Sequence, residues 1–194
     1  MSVDPPMAAD PRQILLLSYY RDAELRGANL LYRLMSYLDD ADSQVKLSLH
    51  YAEETQHAWL WTKRIVDLGG VPTRIDDGYQ SRIGRRTVPR NLLELLALTV
   101  VVEERSHARY SEHAARPDVD AITLDLLQRV SNDEKWHISW VRKRLEEIAA
   151  STADGAARMA AALEKYRGID AEVYADLCAK EQALFAAPPA APAA

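Results

Sequence analysis

Two Glu-x-x-His pairs are the residues of this chain that are best suited to chemistry. Glu54 precedes His57 by three positions, and Glu134 precedes His137 by three. In a helix such pairs lie on one face, so each pair can direct a carboxylate and an imidazole toward the same point. Oxygen and nitrogen ligands of this kind suit iron or manganese. The two pairs therefore predict a metal site.

The two pairs belong to a longer internal repeat. They are separated by 80 residues, and the same interval relates Glu24 to Glu104 without an insertion. The gaps between Glu24, Glu54, Glu104 and Glu134 are thus 30, 50 and 30 residues. This spacing predicts two helical halves, each of which supplies two carboxylates and one imidazole.

The neighbours of these acids indicate that they face the core. Leu47 and Trp61 share a helical face with Glu54, and Leu17 and Leu31 share one with Glu24. Four unpaired carboxylates in an apolar interior would each cost on the order of several kcal/mol, so cations must lie between them. Two divalent metal ions would balance the four charges.

The elements that position these residues predict an all-α fold. Apolar residues recur with helical spacing in long stretches that are separated by the few glycines and prolines. The predicted helices cover residues 11–38, 39–68, 91–115 and 118–150. Residues 71–90 are too long for a tight turn and predict a crossover. We therefore expect a four-helix bundle at 11–150, a C-terminal extension of one bent or two short helices at 151–186, and a disordered tail at 187–194.

The order Glu, Glu-x-x-His, Glu, Glu-x-x-His on four successive helices resembles the ligand pattern of the ferritin-like di-iron carboxylate proteins. The segment from Glu54 to Pro72 is similar to the corresponding segment of rubrerythrins and bacterioferritins. The resemblance covers residues 11–150 and implies an antiparallel bundle that holds two iron ions, or one manganese and one iron. The resemblance implies that Glu24 and Glu104 are terminal carboxylate ligands and that Glu54 and Glu134 are bridging carboxylates. It also implies that His57 and His137 supply one imidazole ligand to each metal.

The resemblance implies a non-haem oxidoreductase that activates dioxygen or peroxide. Two alternatives stay open, which are an iron-handling ferroxidase and a non-catalytic bundle that metal only stabilises. The rubredoxin-like cysteines of a full rubrerythrin are missing, since Cys178 is the single cysteine. An external electron donor is therefore expected.

Several further residues are candidates for supporting roles. Asp133 directly precedes Glu134 and is expected to hydrogen-bond a ligand histidine across the bundle. Glu53 and Glu103 hold the same preceding position in the other motifs, where we expect a solvated helix flank. His107 and His50 lie one turn from motif glutamates and are either extra ligands or histidines hydrogen-bonded near the site. Three tyrosines on or near the ligand faces could bond to the site or simply pack in the core: Tyr20, Tyr51 and Tyr110.

Length and charge set the remaining expectations. The chain has 194 residues, of which 48% are hydrophobic, and its formal net charge is -5. These values fit one folded domain and argue against a general nucleic-acid surface. The acidic, proline-containing start does not resemble a signal peptide, so we expect a cytoplasmic protein without a membrane segment. We also expect a homo-oligomer, for which a dimer is one option.

Overall fold

The computed structural model describes residues 10–186, and the regular structure in that range is helical. The helices are α1 (Pro11–Leu34), α2 (Ala41–Asp67), α3 (Tyr79–Arg86), α4 (Leu92–Ala114), α5 (Ala121–Ala150) and α6 (Gly155–Ala186). Helices α1, α2, α4 and α5 form the bundle, so the predicted all-α class is confirmed. The predicted tail at 187–194 lies outside the described residues.

The helix ends follow the capping rules that the sequence suggested. The side chain of Asp10 accepts a hydrogen bond from the backbone of Arg12, with Pro11 in the first helical turn. Asn91 caps α4 by accepting from the backbone N–H of Glu94 at 3.0 Å. Gly69 follows the end of α2 with a φ of 82°, a conformation that costs glycine little. These caps satisfy backbone groups that would otherwise be unpaired.

Several details of the helices differ from the sequence prediction. Helix α1 ends at Leu34 rather than at residue 38, and the crossover contains the short helix α3, which periodicity over only 8 residues could not establish. Helix α5 begins at Ala121 rather than at residue 118, because the carboxylate of Asp120 caps it by accepting from the backbone N–H of Thr123 at 3.0 Å. Of the two forms expected for the C-terminal segment, the structure has a single helix, α6, rather than two short ones.

The core consists of two apolar clusters with a polar layer between them. One cluster joins Leu31 of α1 to Leu47 of α2, and the other joins Leu17 of α1 to Ile65 of α2. The start of α1 thus packs on the end of α2, which makes the two helices antiparallel. Helices α4 and α5 show the same arrangement. The motif acids lie between the clusters, at the middle of each helix.

Helix α6 packs mainly against α4 and also contacts α3 and α5. Its buried residues include Tyr166, Val173 and Leu177, which extend the first apolar cluster. Asp170 accepts hydrogen bonds from Arg105 at 2.7 Å and from the Tyr79 hydroxyl at 2.7 Å, which ties α6 to α4 and α3. Among the described helices, none has the length and hydropathy needed to cross a membrane.

Candidate metal centre

Two overlapping groups of buried side chains occupy the polar layer. In each group, four ligand-type atoms lie within 4.8 Å of one another. The first group contains Glu24, Glu54, His57 and Glu134, and the second contains His50, Glu54, Glu103 and His137. Glu54 belongs to both groups, and every member is at most 3% exposed. The bundle thus concentrates carboxylate and imidazole groups in a space closed to bulk water.

Close helix packing lets the Glu54 carboxylate enter this space. Gly27 lies on α1 beside α2, and a Cβ atom added there would overlap Oε2 of Glu54. No larger residue fits at this position without moving the carboxylate. The absence of a side chain at Gly27 therefore helps to set the position of Glu54.

An acid on α5, Asp133, orients the ring of His57. Its Nδ1 lies 3.5 Å from Oε2 of Glu24 and 3.9 Å from Oε1 of Glu134. Its Nε2 lies 3.1 Å from Oδ2 of Asp133, which makes the cross-bundle bond expected of that residue. An ionised carboxylate only accepts, so Nε2 carries a proton and Nδ1 is the nitrogen whose lone pair a metal would use.

His137 has the mirrored arrangement. Its Nδ1 lies 3.4 Å from Oε1 of Glu54 and 3.2 Å from Oε2 of Glu134. Its Nε2 lies 3.0 Å from Oε2 of Glu53. Each histidine therefore directs Nδ1 inward, and each is held from outside by the acid that precedes the other motif.

The predicted position of Glu104 is wrong by one residue. Glu104 lies outside the polar layer, where its carboxylate bonds to Arg142 and lies 3.3 Å from Arg167. Glu103 is 3% exposed and takes the inward position instead. One residue corresponds to about 100° around a helix, so an 80-residue shift that holds for α2 and α5 does not hold for α1 and α4.

The sequence contained a signal for this difference. Leu96 and Tyr110 lie seven residues on either side of Glu103, and both are buried. Seven residues are close to two helical turns, so the apolar face of α4 passes through Glu103. The expectation of a solvated flank is wrong for Glu53 as well, since it bonds to His137. The repeat pointed to that role, because Glu53 corresponds to Asp133.

Two residues predicted to support the site, His107 and Tyr51, lie outside both ligand groups. Nδ1 of His107 bonds to the hydroxyl of Ser131 at 2.8 Å, and His107 does not join either ligand group. Tyr51 is 36% exposed and its ring faces Tyr32 at a centroid distance of 6.5 Å. Neither residue contacts the atoms that could hold a metal.

An aromatic cluster borders the Glu24 end of the centre. The Tyr110 hydroxyl donates to Oε1 of Glu24, and the Trp61 indole donates to the same oxygen at 3.3 Å. Tyr20 packs edge-on against Tyr110 at 5.0 Å, and its hydroxyl pairs with Nδ1 of His113 at 3.1 Å. Burial raises the pKa of Tyr20 to about 12. Tyr110 therefore contacts a candidate ligand directly, whereas Tyr20 supports Tyr110.

The donor atoms of the centre fit a bound cation. Three buried atoms of the first group have no hydrogen-bond partner, namely Oε1 of Glu54, Nδ1 of His57 and Oε1 of Glu134. Buried polar atoms in folded proteins are almost always paired. Unpaired carboxylate oxygen and imidazole nitrogen within a few ångströms of one another match the ligand preference of iron or manganese.

The electrostatics of the centre also favour a cation. Burial and the charges of neighbouring carboxylates raise the pKa of Glu54 and of Glu134 well above the usual range. Burial opposes protonation of His57, but the neighbouring carboxylates of Glu24 and Glu54 prevail and raise its pKa to about 9, so a metal at Nδ1 would displace a proton. Burial and the neighbouring histidines lower the pKa of His137. Protons offset the crowded negative charge in the metal-free protein, and a divalent cation would replace them.

Known proteins share this architecture. The family model described as the ferritin-like domain matches residues 42–151. A bacterioferritin-related protein from Bacteroides fragilis, described as a dodecameric thioferritin, has a similar fold with a TM-score of 0.59 and 23% sequence identity. That similarity covers 72% of this chain and 87% of the other. No curated protein matches the chain.

Proposed function

The chain belongs to the ferritin-like domain family, and on that premise we propose that it is a non-haem di-iron oxidoreductase that activates dioxygen or peroxide. A mixed manganese and iron centre is the alternative metal content. The observation that carries the proposal is the pair of mirrored donor groups, whose buried atoms lack partners within the protein. An external electron donor completes the proposal.

The candidate ligands can be assigned to two metal positions. In the proposal, Glu24 and His57 would hold one ion, Glu103 and His137 would hold the other, and Glu54, which belongs to both groups, and Glu134, which lies beside His137, would complete the ligand set. Bound iron supplies the electrons that a small oxidant takes up. The proposal thus keeps five of the six predicted ligands, and Glu103 takes the place of Glu104.

The protein supplies orientation and exclusion of water. Asp133 and Glu53 hold the two imidazoles with Nδ1 directed inward, which keeps their lone pairs available. The hydroxyl of Tyr110 and the indole of Trp61 hold the Glu24 carboxylate in one orientation. Because the ligands are at most 3% exposed, the arrangement suits an oxidant of a few atoms better than a bulky organic substrate.

Metal analysis followed by rapid kinetics tests this proposal. The purified protein should bind two ions per chain and, after anaerobic ferrous loading, change its absorbance on mixing with dioxygen or peroxide in a stopped-flow instrument. Glu103→Ala should lose metal and reactivity, whereas the neighbouring Glu104→Ala should keep both. If the loaded wild-type protein stays unchanged for hours in air-saturated buffer, the oxidoreductase proposal fails and a metal-stabilised bundle takes its place.

Iron handling is the second candidate, favoured by the fold shared with the dodecameric thioferritin. This candidate predicts a large assembly of this chain and oxidation of many ferrous ions per chain without another substrate. Light scattering after gel filtration measures the assembly, and titration with excess ferrous iron measures the turnover. Oxidation that stops at the resident ions, in a small oligomer such as a dimer, would favour the oxidoreductase.

A further inference from the structure

His50 breaks the repeat that organises the rest of the centre. Adding the 80-residue interval gives Val130, so the other half has no equivalent imidazole. His50 is fully buried, and its ring stacks on His137 with a centroid distance of 3.6 Å. Its Nε2 lies 3.4 Å from Oε1 of Glu103 and 3.6 Å from Oε1 of Glu54. Distance alone would make His50 a metal ligand.

The partner of the other ring nitrogen argues against that role. The indole Nε1 of Trp140 donates a hydrogen bond to Nδ1 of His50 at 3.1 Å. An indole N–H can only donate, so Nδ1 must present its lone pair to Trp140. In the neutral imidazole the proton then lies on Nε2, the nitrogen that faces the carboxylates. A nitrogen that carries a proton has no lone pair for a metal.

The three histidines of the centre therefore differ by the chemistry of their outer partners. Carboxylates hold His57 and His137 from outside, so a proton points outward and a lone pair points inward. An indole holds His50 from outside, so a lone pair points outward and a proton points inward. That inward Nε2 is buried and has no hydrogen-bond partner in the protein.

We propose that Trp140 fixes His50 as an inward N–H donor, and that His50 donates a hydrogen bond to an oxygen of the oxidant at the Glu103 end of the centre. The tautomer follows from the hydrogen bond alone, whereas the role toward the oxidant rests on the proposed function. Trp140 is a positioning residue in this scheme. The two ends of the centre are then unequal, since the Glu24 end has no such donor on α5, where Val130 occupies the equivalent position.

Nitrogen NMR of histidine-labelled protein tests the tautomer directly. Long-range proton–nitrogen spectra should show a protonated Nε2 and an unprotonated Nδ1 for His50, both without metal and after loading with zinc. Zinc should shift Nδ1 of His57 and of His137 to values typical of coordination. Loss of the Nε2 proton of His50 on zinc loading would identify a ligand and overturn the proposal.

Two tryptophan variants separate the hydrogen bond from packing. Trp140→Phe removes the indole donor, so His50 should redistribute between its two neutral tautomers. Trp136 packs edge-on against His50 at 6.1 Å, while the hydrogen bond comes from Trp140. Trp136→Phe should therefore leave the tautomer unchanged. Equal effects of the two changes, or no effect of Trp140→Phe, would contradict the positioning role.

Substitution of His50 itself tests the donor role. His50→Leu should keep two zinc ions per chain and slow the oxidation of the ferrous protein by about tenfold, as expected for the loss of one hydrogen bond. His50→Gln places an amide N–H near the same point and should restore most of the rate. Loss of one zinc ion in His50→Leu, or no rescue by Gln, would refute the proposal. If wild-type ferrous protein does not react with oxidants, the proposed function fails while the NMR result still decides the tautomer.

Discussion

Replacing Glu134 by glutamine should stabilise the metal-free protein and weaken the metal-bound one. Glu134 is fully buried among Glu24, Glu54 and Glu103, and burial raises its pKa well above the ordinary value of 4.5. As the pH rises above that value, the unfolded chain loses the proton before the folded protein does. Ionisation therefore favours unfolding, and a neutral amide of the same shape removes this penalty.

The pH interval limits the size of the effect. Between the ordinary pKa of 4.5 and pH 7, at about 1.36 kcal/mol per pH unit, the penalty cannot exceed about 3.4 kcal/mol. The glutamine amide can still donate to Nδ1 of His137, which lies 3.2 Å from Oε2 of Glu134. We therefore expect a gain of about 1–3 kcal/mol at pH 7, or about 2–12 °C in Tm for a chain of this length.

Bound metal should reverse the sign of the stability difference between Glu134→Gln and the wild-type protein. A cation that binds only the folded protein adds about 4.1 kcal/mol of stability at a concentration of 1,000 times its Kd, which exceeds the expected gain of the metal-free variant. Glutamine supplies no negative charge between the two ions, so the variant should lose most of this increment. The wild-type protein should therefore melt below Glu134→Gln when metal is absent and above it when metal is bound.

Calorimetry at pH 5 and pH 7, with chelator and then with saturating zinc, measures both effects. Glu104→Gln is the matched control, because Glu104 pairs with Arg142 outside the polar layer and its change should stay within about 1 kcal/mol without altering the zinc increment. An advantage of Glu134→Gln that is equal at both pH values, or a metal-free variant less stable than wild type, would show that ionisation of Glu134 is not the cause.

Two further substitutions test the packing and the orientation of the centre. Gly27→Ala should displace the Glu54 carboxylate, which an added Cβ would overlap, and metal analysis should show the loss of at least one ion per chain. Gly168→Ala, where an added Cβ meets nothing within 4 Å, should keep both ions and raise stability by about 0.5–1 kcal/mol in thermal melts. Asp133→Asn removes the carboxylate that holds His57 and should weaken metal binding about 10–100-fold in a chelator competition, and unchanged affinity would speak against that role.

Local sequence rules were sufficient for much of the fold. The caps at Asp10 and Asn91 and the end of α2 before Gly69 rest on hydrogen bonds between residues close in the chain. The short helix α3 escaped prediction because 8 residues show too little periodicity. It is fixed by distant contacts, such as the bond from Tyr79 to Asp170 on α6.

The candidate site shows where local reasoning ends. The repeat placed Glu54, His57, Glu134 and His137 correctly on inward faces, because each motif fixes its own spacing within one helix. The phase of α4 relative to α1 depends on how the two helices pack, and one residue of difference exchanged Glu104 for Glu103. The buried Leu96 and Tyr110 mark the inward face of α4 at Glu103, whereas the 80-residue repeat points to Glu104.

The inequality of the two ends arises from residues outside the repeat. At one end, Glu24 accepts hydrogen bonds from Tyr110 and Trp61, which stabilise its negative charge and hold its carboxylate. At the other end, His50 faces Glu103 with a proton that the Trp140 bond directs inward. In the proposed function, the Glu103 end is therefore the end at which an oxidant would find the His50 hydrogen-bond donor, and the sequence builds this difference by placing aromatic donors on opposite sides of an otherwise symmetric layer of acids.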